Sequence, residues 1–248
     1  MLDALRSARA IVRSLRIYYG NRERDAAMDR LYARFVRPGA LVFDVGAHVG
    51  DRVAAFRRLG ARVVAFEPQP ALVKTLRLIY GRDHGIVIEP LALGSSTGTI
   101  DLKINVDNPT VSTASDDFVA AAKGARGWEG QVWAKHVSVP VTTLDTMIAR
   151  YGMPAFIKID VEGFEAEVLS GLSQPIAALS FEFTTIQRDV ALAAIDRCVA
   201  LGLGDFDAAL GESQRLVHGS GQSADGMRRW LRDLPENANS GDIYAVRP

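Results

Sequence analysis

The hydrophobic pattern changes character at Pro38-Gly39. Before that break, Leu5, Val12 and Leu15 alternate with Arg6, Arg9, Arg13 and Arg16, a spacing that predicts helix over residues 1–36. After it come short, nearly continuous apolar runs: ALVFDV from Ala40, RVVAFEP from Arg62, AFIKIDVEG from Ala155 and ALSFEF from Ala178. These are rich in β-branched and aromatic residues and do not alternate, as expected of parallel strands buried on both faces. Helical stretches at 52–59, 70–80, 164–172 and 189–201 lie between or after them. Strand following helix in this way predicts a doubly wound α/β sheet.

Two segments depart from the alternation. Residues 86–105, IVIEPLALGSSTGTIDLKIN, predict a strand, a turn and a second strand. A polar stretch over 105–138 follows, too long for a simple connector, and is expected to be an insertion beside a site. SGDIYAVRP at the C-terminus predicts a final short strand. The expected organisation is an N-terminal helical cap over 1–38 and one domain over 39–248 carrying the insertion.

Composition narrows the classes. The chain has 248 residues, and 48% hydrophobic and 23% charged positions suit a globular α/β domain with a sizeable core. Lys plus Arg and Asp plus Glu are equal at 29, which argues against a dedicated nucleic-acid binder. The single cysteine, Cys198, excludes an internal disulfide. No apolar run is long enough to predict a transmembrane helix. The arginine-interrupted N-terminus does not read as a signal peptide, so a cytoplasmic protein is the expectation. The N-terminal arginines read first as solvated positions of a cap, and second as a basic amphipathic surface making weak membrane contact.

The stretch LVFDVGAHVGDR, residues 41–52, runs from a strand into a glycine-spaced loop with an acid on each side. No Lys-Ser/Thr follows Gly50, so it is not a phosphate loop. A dinucleotide fingerprint would place glycine where His48 stands, and Asp51 would sit close to a pyrophosphate. A cationic nucleoside without pyrophosphate fits better. S-adenosylmethionine needs close backbone approach and benefits from carboxylates, here Asp44 and, 23 residues on, Glu67 at the end of the second strand. An NAD-dependent oxidoreductase is the rival for this loop.

FDVGAHVGDR, VVAFEPQPALVKTL, PLALGSSTGTIDL, VPVTTLDTMI and FIKIDVEGFEAEVLSGL occur in that order and together resemble the FkbM-type S-adenosylmethionine-dependent methyltransferases. The resemblance covers about residues 41–183, with a weaker echo in DIYAV. It implies a Rossmann-like methyltransferase fold, a mostly parallel seven-stranded sheet with helices on both faces and an antiparallel final strand. It also implies small-molecule or saccharide acceptors. His48 stands where family members usually carry asparagine. A binding module that holds the donor without transferring its methyl group is the non-catalytic alternative.

Ligands of such sheets bind beyond the carboxyl ends of the strands. Donor contacts are therefore expected at Asp44, Gly46, His48, Gly50, Glu67, Pro68, Ala92 and Asp160. Asp160 and Glu162 would face the same way if their strand stays regular, and two close carboxylates raise one pKa, which suits a general base. A divalent cation held by the same pair with Glu182 is the second reading. Lys158, within an apolar run, needs a partner, and Glu182 or Asp160 is expected. His136 is a further candidate base, against a solvated loop histidine. Ser112, Thr113, Trp128, Trp133 and Glu182 are expected to face the acceptor, the tryptophans otherwise anchoring the insertion.

Overall fold

The computed structural model describes the backbone of residues 2–248 and the side chains from residue 5 onward. Seven strands form the main sheet: β1 (Leu41–Val45), β2 (Arg62–Phe66), β3 (Ile86–Glu89), β7 (Phe156–Ile159), β8 (Ala178–Thr184), β9 (Asp205–Leu210) and β10 (Ser240–Val246). Their order is β3-β2-β1-β7-β8-β10-β9. Strands β1, β2, β3, β7 and β8 pair in parallel, and β10 runs antiparallel to both its neighbours, β8 and β9. A second sheet, β4-β6-β5, comprises β4 (Ala92–Leu93), β5 (Gly98–Ile104) and β6 (Lys135–Thr142).

Nine helices accompany these strands among the described residues: α1 (Leu2–Tyr18), α2 (Arg22–Tyr32), α3 (Asp51–Arg58), α4 (Pro70–Tyr80), α5 (Asp116–Ala122), α6 (Leu144–Tyr151), α7 (Glu165–Ser170), α8 (Arg188–Ala200) and α9 (Ala224–Asp233). Five of them begin on a local signal. Asn21, Ser115, Thr143 and Ser223 cap the helices that follow them with side-chain oxygens. Pro70 opens α4 with no N–H to satisfy.

Side chains of the central strands alternate between two cores. Phe43, Val45, Val64, Phe66, Ile157, Ile159, Leu179, Phe181 and Ile243 pack with α6, α7, α8 and α9. Val42, Val63, Ala65, Phe156, Ala178 and Tyr244 face the other way, onto Met28, Leu31 and Tyr32 of α2 and onto Val53 and Phe56 of α3. The expected layering, with helices on both faces, is therefore present. The N-terminal segment is two helices rather than one, broken at Gly20, whose φ is +87°. The second of them supplies core.

Helix α1 is the outer one. Leu5, Val12 and Ile17 are exposed on it. Arg6 pairs with the Asp107 carboxylate, and an Arg13 guanidinium nitrogen donates to the Asp107 carbonyl at 2.5 Å, so two of its arginines reach the insertion. No described helix is long and apolar enough to cross a membrane. The expected insertion begins as β5 ends, but it stops earlier than predicted, because residues 135–138 already belong to β6. What remains has its own small core of Val111, Phe118, Ala122 and Trp128.

Because Met28 is fully buried between α2 and the sheet, Met28→Ala should cost about 2–5 kcal/mol of stability. Urea denaturation checks this. A loss near zero would mean that α2 is docked on the domain without sharing its core.

Candidate functional site

A cleft of about 320 Å³ opens at the carboxyl ends of β1, β2, β7 and β8. The four strand ends supply Asp44, Glu67, Asp160 and Glu182 to its lining. The loop after β1 shapes one wall. Gly46, His48 and Gly50 all have positive φ, 82°, 50° and 86°, so the chain turns back on itself within five residues. A Cβ on Gly46 would run into the main-chain carbonyl of Asp160, so only glycine lets the β1 loop press against the end of β7. The backbone N–H groups of Gly46 and Ala47 donate to the Phe66 carbonyl at 3.0 Å, tying the loop to β2.

Glu67 is buried, and its two carboxylate oxygens accept from the backbone N–H of His48 and of Gln69, each at 2.8 Å. Burial pushes it up to about 8 even against these two hydrogen bonds. Asp44 is buried too and pushed up to about 7, chiefly by burial and against the pull of Lys158. One of its oxygens, Oδ2, has neither solvent nor partner. His48 lies edge-on to the Tyr18 ring, 5.5 Å between centroids, and its Nε2 is 3.3 Å from the Thr110 hydroxyl. Burial holds its imidazole below the usual histidine range.

Polar residues cross the sheet in rows set by register. Asp44 is paired with Lys158, Lys158 with Ser180, and Ser180 with Tyr244. One step along, Glu182 is paired with Asp242, and Asp160 lies one residue past the last β7–β8 pair, Ile159 with Phe181. Lys158 is fully buried and donates to Asp160 Oδ2 at 2.9 Å and to Asp242 Oδ1 at 2.8 Å. Burial alone would raise Asp160, but the Lys158 ammonium prevails and holds it below the usual carboxylate range.

Regular strand ends at Ile159, so Asp160 and Glu162 do not meet as alternate residues of one strand. Glu162 instead takes a left-handed conformation, φ 56°, which returns its side chain to the cleft. That turn is held from outside. The Thr113 hydroxyl donates to the Glu162 carbonyl at 2.6 Å, and a Glu165 oxygen accepts from the N–H of Val161 and Gly163 at 3.1 and 3.3 Å. Asp160, Glu162 and Glu182 then offer oxygens that all lie within 4.8 Å of one another. Burial, then neighbouring carboxylates, push Glu162 and Glu182 well above the ordinary range.

Of the residues singled out from sequence, the cleft gathers Asp44, Gly46, His48, Glu67, Pro68, Ala92, Ser112, Trp128, Asp160, Glu162 and Glu182. Four lie outside its lining. Gly50 is the N-cap of α3, where a Cβ would strike Tyr80 and Leu76. Thr113 is fully buried behind the Glu162 turn. Trp133 packs on Phe118, with its indole N–H donating to the Val111 carbonyl at 2.7 Å. His136 sits on β6 rather than in a loop, exposed, with Nδ1 2.6 Å from Asp101. The Asp101 pairing and strand register direct it to solvent.

The sequence reading did not anticipate Tyr18, Arg52 or Glu212, all in the lining. Arg24 joins Asp51 at 2.7 Å and Glu212 at 3.0 Å, and Arg52 joins Glu212 at 3.0 Å. The tyrosine hydroxyls of Tyr19 and Tyr80 donate to the Val49 and Gly50 carbonyls, both at 2.8 Å, behind the glycine loop.

The lining fits a cationic nucleoside such as S-adenosylmethionine: Asp44 keeps an unpartnered oxygen in it, and the Glu67 carboxylate forms part of the same wall. The "31-O-demethyl-FK506 methyltransferase FkbM" of Streptomyces tacrolimicus is 29% identical over 223 residues, 80% of this chain and 79% of that protein. The "Hexuronic acid methyltransferase AglP" of Haloferax volcanii is 26% identical over 152 residues, 60% of this chain, and the match spans just over half of that protein, 57%. Among solved structures, Aeropyrum pernix fibrillarin in complex with S-adenosyl-L-methionine is similar with a TM-score of 0.46 and 12% identity, over 86% of this chain and 68% of that one. The Methyltransferase FkbM domain matches residues 44–234, most of the chain. The protein thus belongs to the FkbM methyltransferase family and is an S-adenosylmethionine-dependent methyltransferase.

Proposed function

We propose that this methyltransferase modifies a hydroxyl oxygen on a small molecule or a saccharide. The observation that carries this reading is the contact between the glycine loop and the acids: Gly46 is packed on the Asp160 main chain, so donor loop and carboxylate cluster share one wall. The names of the two relatives support it, since one refers to an O-demethylated acceptor and the other to a hexuronic acid.

Asp44, Gly46, His48, Glu67, Pro68 and Ala92 would hold the donor. When bound, S-adenosylmethionine supplies a methyl group on a sulfonium. A hydroxyl acceptor must be oriented and must lose its proton, which a neighbouring carboxylate takes. Asp160 is the member that Lys158 keeps ionised, and Glu162 and Glu182, each with an unpartnered oxygen, bring a carboxylate oxygen within 4.8 Å of it. Trp128, buried at the cleft with its Nε1 unpartnered, offers an acceptor both an apolar face and a donor.

Two outcomes follow from these roles. Glu67→Ala should weaken S-adenosylhomocysteine binding by about 1–3 kcal/mol, through lost charge-assisted hydrogen bonds. Since the Glu67 carboxyl is pushed up to about 8, it is protonated below that pH and ionised above. Wild-type affinity should therefore rise as pH climbs through that range, and Glu67→Gln should reduce the rise to the part left by Asp44, whose carboxyl is pushed up to about 7. Calorimetry at pH 6 and pH 9 reads both, and a pH-independent wild type would remove Glu67 from the donor site.

The acids are tested by rate. Asp160→Asn and Glu162→Gln should leave the fold intact and lower single-turnover transfer to hydroxylated acceptors about 10²–10⁴-fold. A matching loss of donor affinity in Asp160→Asn would make it a donor contact instead. Turnover on amines alone, across a panel of sugars and alcohols, would overturn the hydroxyl reading. Donor binding without turnover on any acceptor would favour a binding module.

A further inference from the structure

Two carboxylates in the cleft have no partner that accounts for their burial. Glu162 is 5% exposed, and its Oε2 touches neither solvent nor a hydrogen-bond donor. Glu182 Oε2 is in the same state. Both line the cleft beside Asp160. The nearest ammonium, Lys158, is committed to Asp160 and Asp242, and no cationic side chain among the described residues pairs with Glu162 or Glu182. Ionised carboxylates are not left bare in a low-dielectric wall. They take up protons, or they meet a cation.

The geometry favours a cation. One oxygen from each of Asp160, Glu162 and Glu182 lies within 4.8 Å of the others. Oxygens on opposite sides of an ion bound at about 2.0–2.6 Å are separated by about 4–5 Å. All three ligands are carboxylates, with no histidine or cysteine in the group, which selects hard divalent ions over zinc or copper. They come from the ends of two adjacent strands and one turn, β7, its following turn and β8, so the protein covers one side of the position and leaves the cleft side open.

We propose that Asp160, Glu162 and Glu182 bind one oxygen-preferring divalent cation, of the magnesium, manganese or calcium class, whose open positions take oxygens of the acceptor. The inference rests on the hydroxyl-acceptor reading and gives it a substrate class: acceptors with two adjacent oxygen ligands, such as a vicinal diol or a hydroxyl next to a carboxylate. The cation fixes such an acceptor in two places and acidifies the bound hydroxyl. Lys158 then has a separate task, holding the outer oxygen of Asp160 so that its other oxygen faces the ion.

Manganese paramagnetic resonance on the full chain tests this, with and without S-adenosylhomocysteine. Wild type should bind one manganese ion saturably, magnesium should compete, and Glu162→Gln and Glu182→Gln should each weaken binding at least tenfold. Asp101→Asn, an exposed carboxylate beside His136, is the control and should bind as wild type does. No saturable manganese in wild type, with or without S-adenosylhomocysteine, overturns the site. So does manganese binding unchanged in both folded glutamine variants. The wild-type titration decides even where a variant fails to fold. Full-rate transfer to a hydroxyl in excess chelator also sinks the cation while sparing the hydroxyl reading. Transfer confined to amines sinks the hydroxyl reading itself.

Discussion

The buried ammonium of Lys158 organises the cleft. A lysine in a central parallel strand is costly unless paired, and here it is paired twice, with Asp160 on its own strand and with Asp242 two strands away. That bridge passes under β8 and links the wall formed by β7 to the antiparallel strand β10. It also sets an asymmetry among the acids. Asp160 stays ionised, while Glu162 and Glu182, with no cation of their own, are pushed upward by burial. One fixed positive charge thus separates a carboxylate held ionised from two that burial raises.

The second constraint is the packing of the glycine loop against β7. Gly46 has no side chain because the Asp160 carbonyl occupies that direction. The loop is braced from behind by Tyr19 and Tyr80, and its flank by the Arg24, Asp51, Arg52 and Glu212 network. Asp51 remains below the ordinary carboxylate range, because Arg52 and Arg24 outweigh its burial. The N-terminal helices therefore reach the glycine-loop wall of the cleft through Tyr18, Tyr19 and Arg24, and α2 doubles as core.

Much of this was legible in the chain. Apolar runs interrupted by single polar residues, at Asp44 in β1, at Lys158 in β7 and at Ser180 and Glu182 in β8, mark buried strands with polar residues reaching one face. The loop glycines and Glu67 could be read locally, since their spacing fixes which chemistry the loop tolerates. Lys158 visibly needed a partner, and Asp160 was one of the two expected. Asp242 was not, because it arrives only when β10 inserts between β8 and β9, a fact of topology and not of local pattern. Glu212 meets Arg24 across 188 positions and was invisible for the same reason. Strand β6 was missed because its outer half is exposed and Pro140 sits within it, so it reads as loop, and His136 was misplaced with it. Glu162 reached the predicted cluster by another route, through a left-handed turn that strand periodicity does not foresee.

If the Lys158 bridge is the organising interaction, its members must be energetically coupled. A double-mutant cycle on unfolding free energy tests this most directly. Lys158→Met alone should destabilise by about 3–5 kcal/mol, since it strands buried carboxylates, and Asp242→Asn added to it should recover a large part of that loss. Losses that simply add in the double variant would contradict the account, because they would mean that the ammonium and Asp242 share the wall without depending on one another.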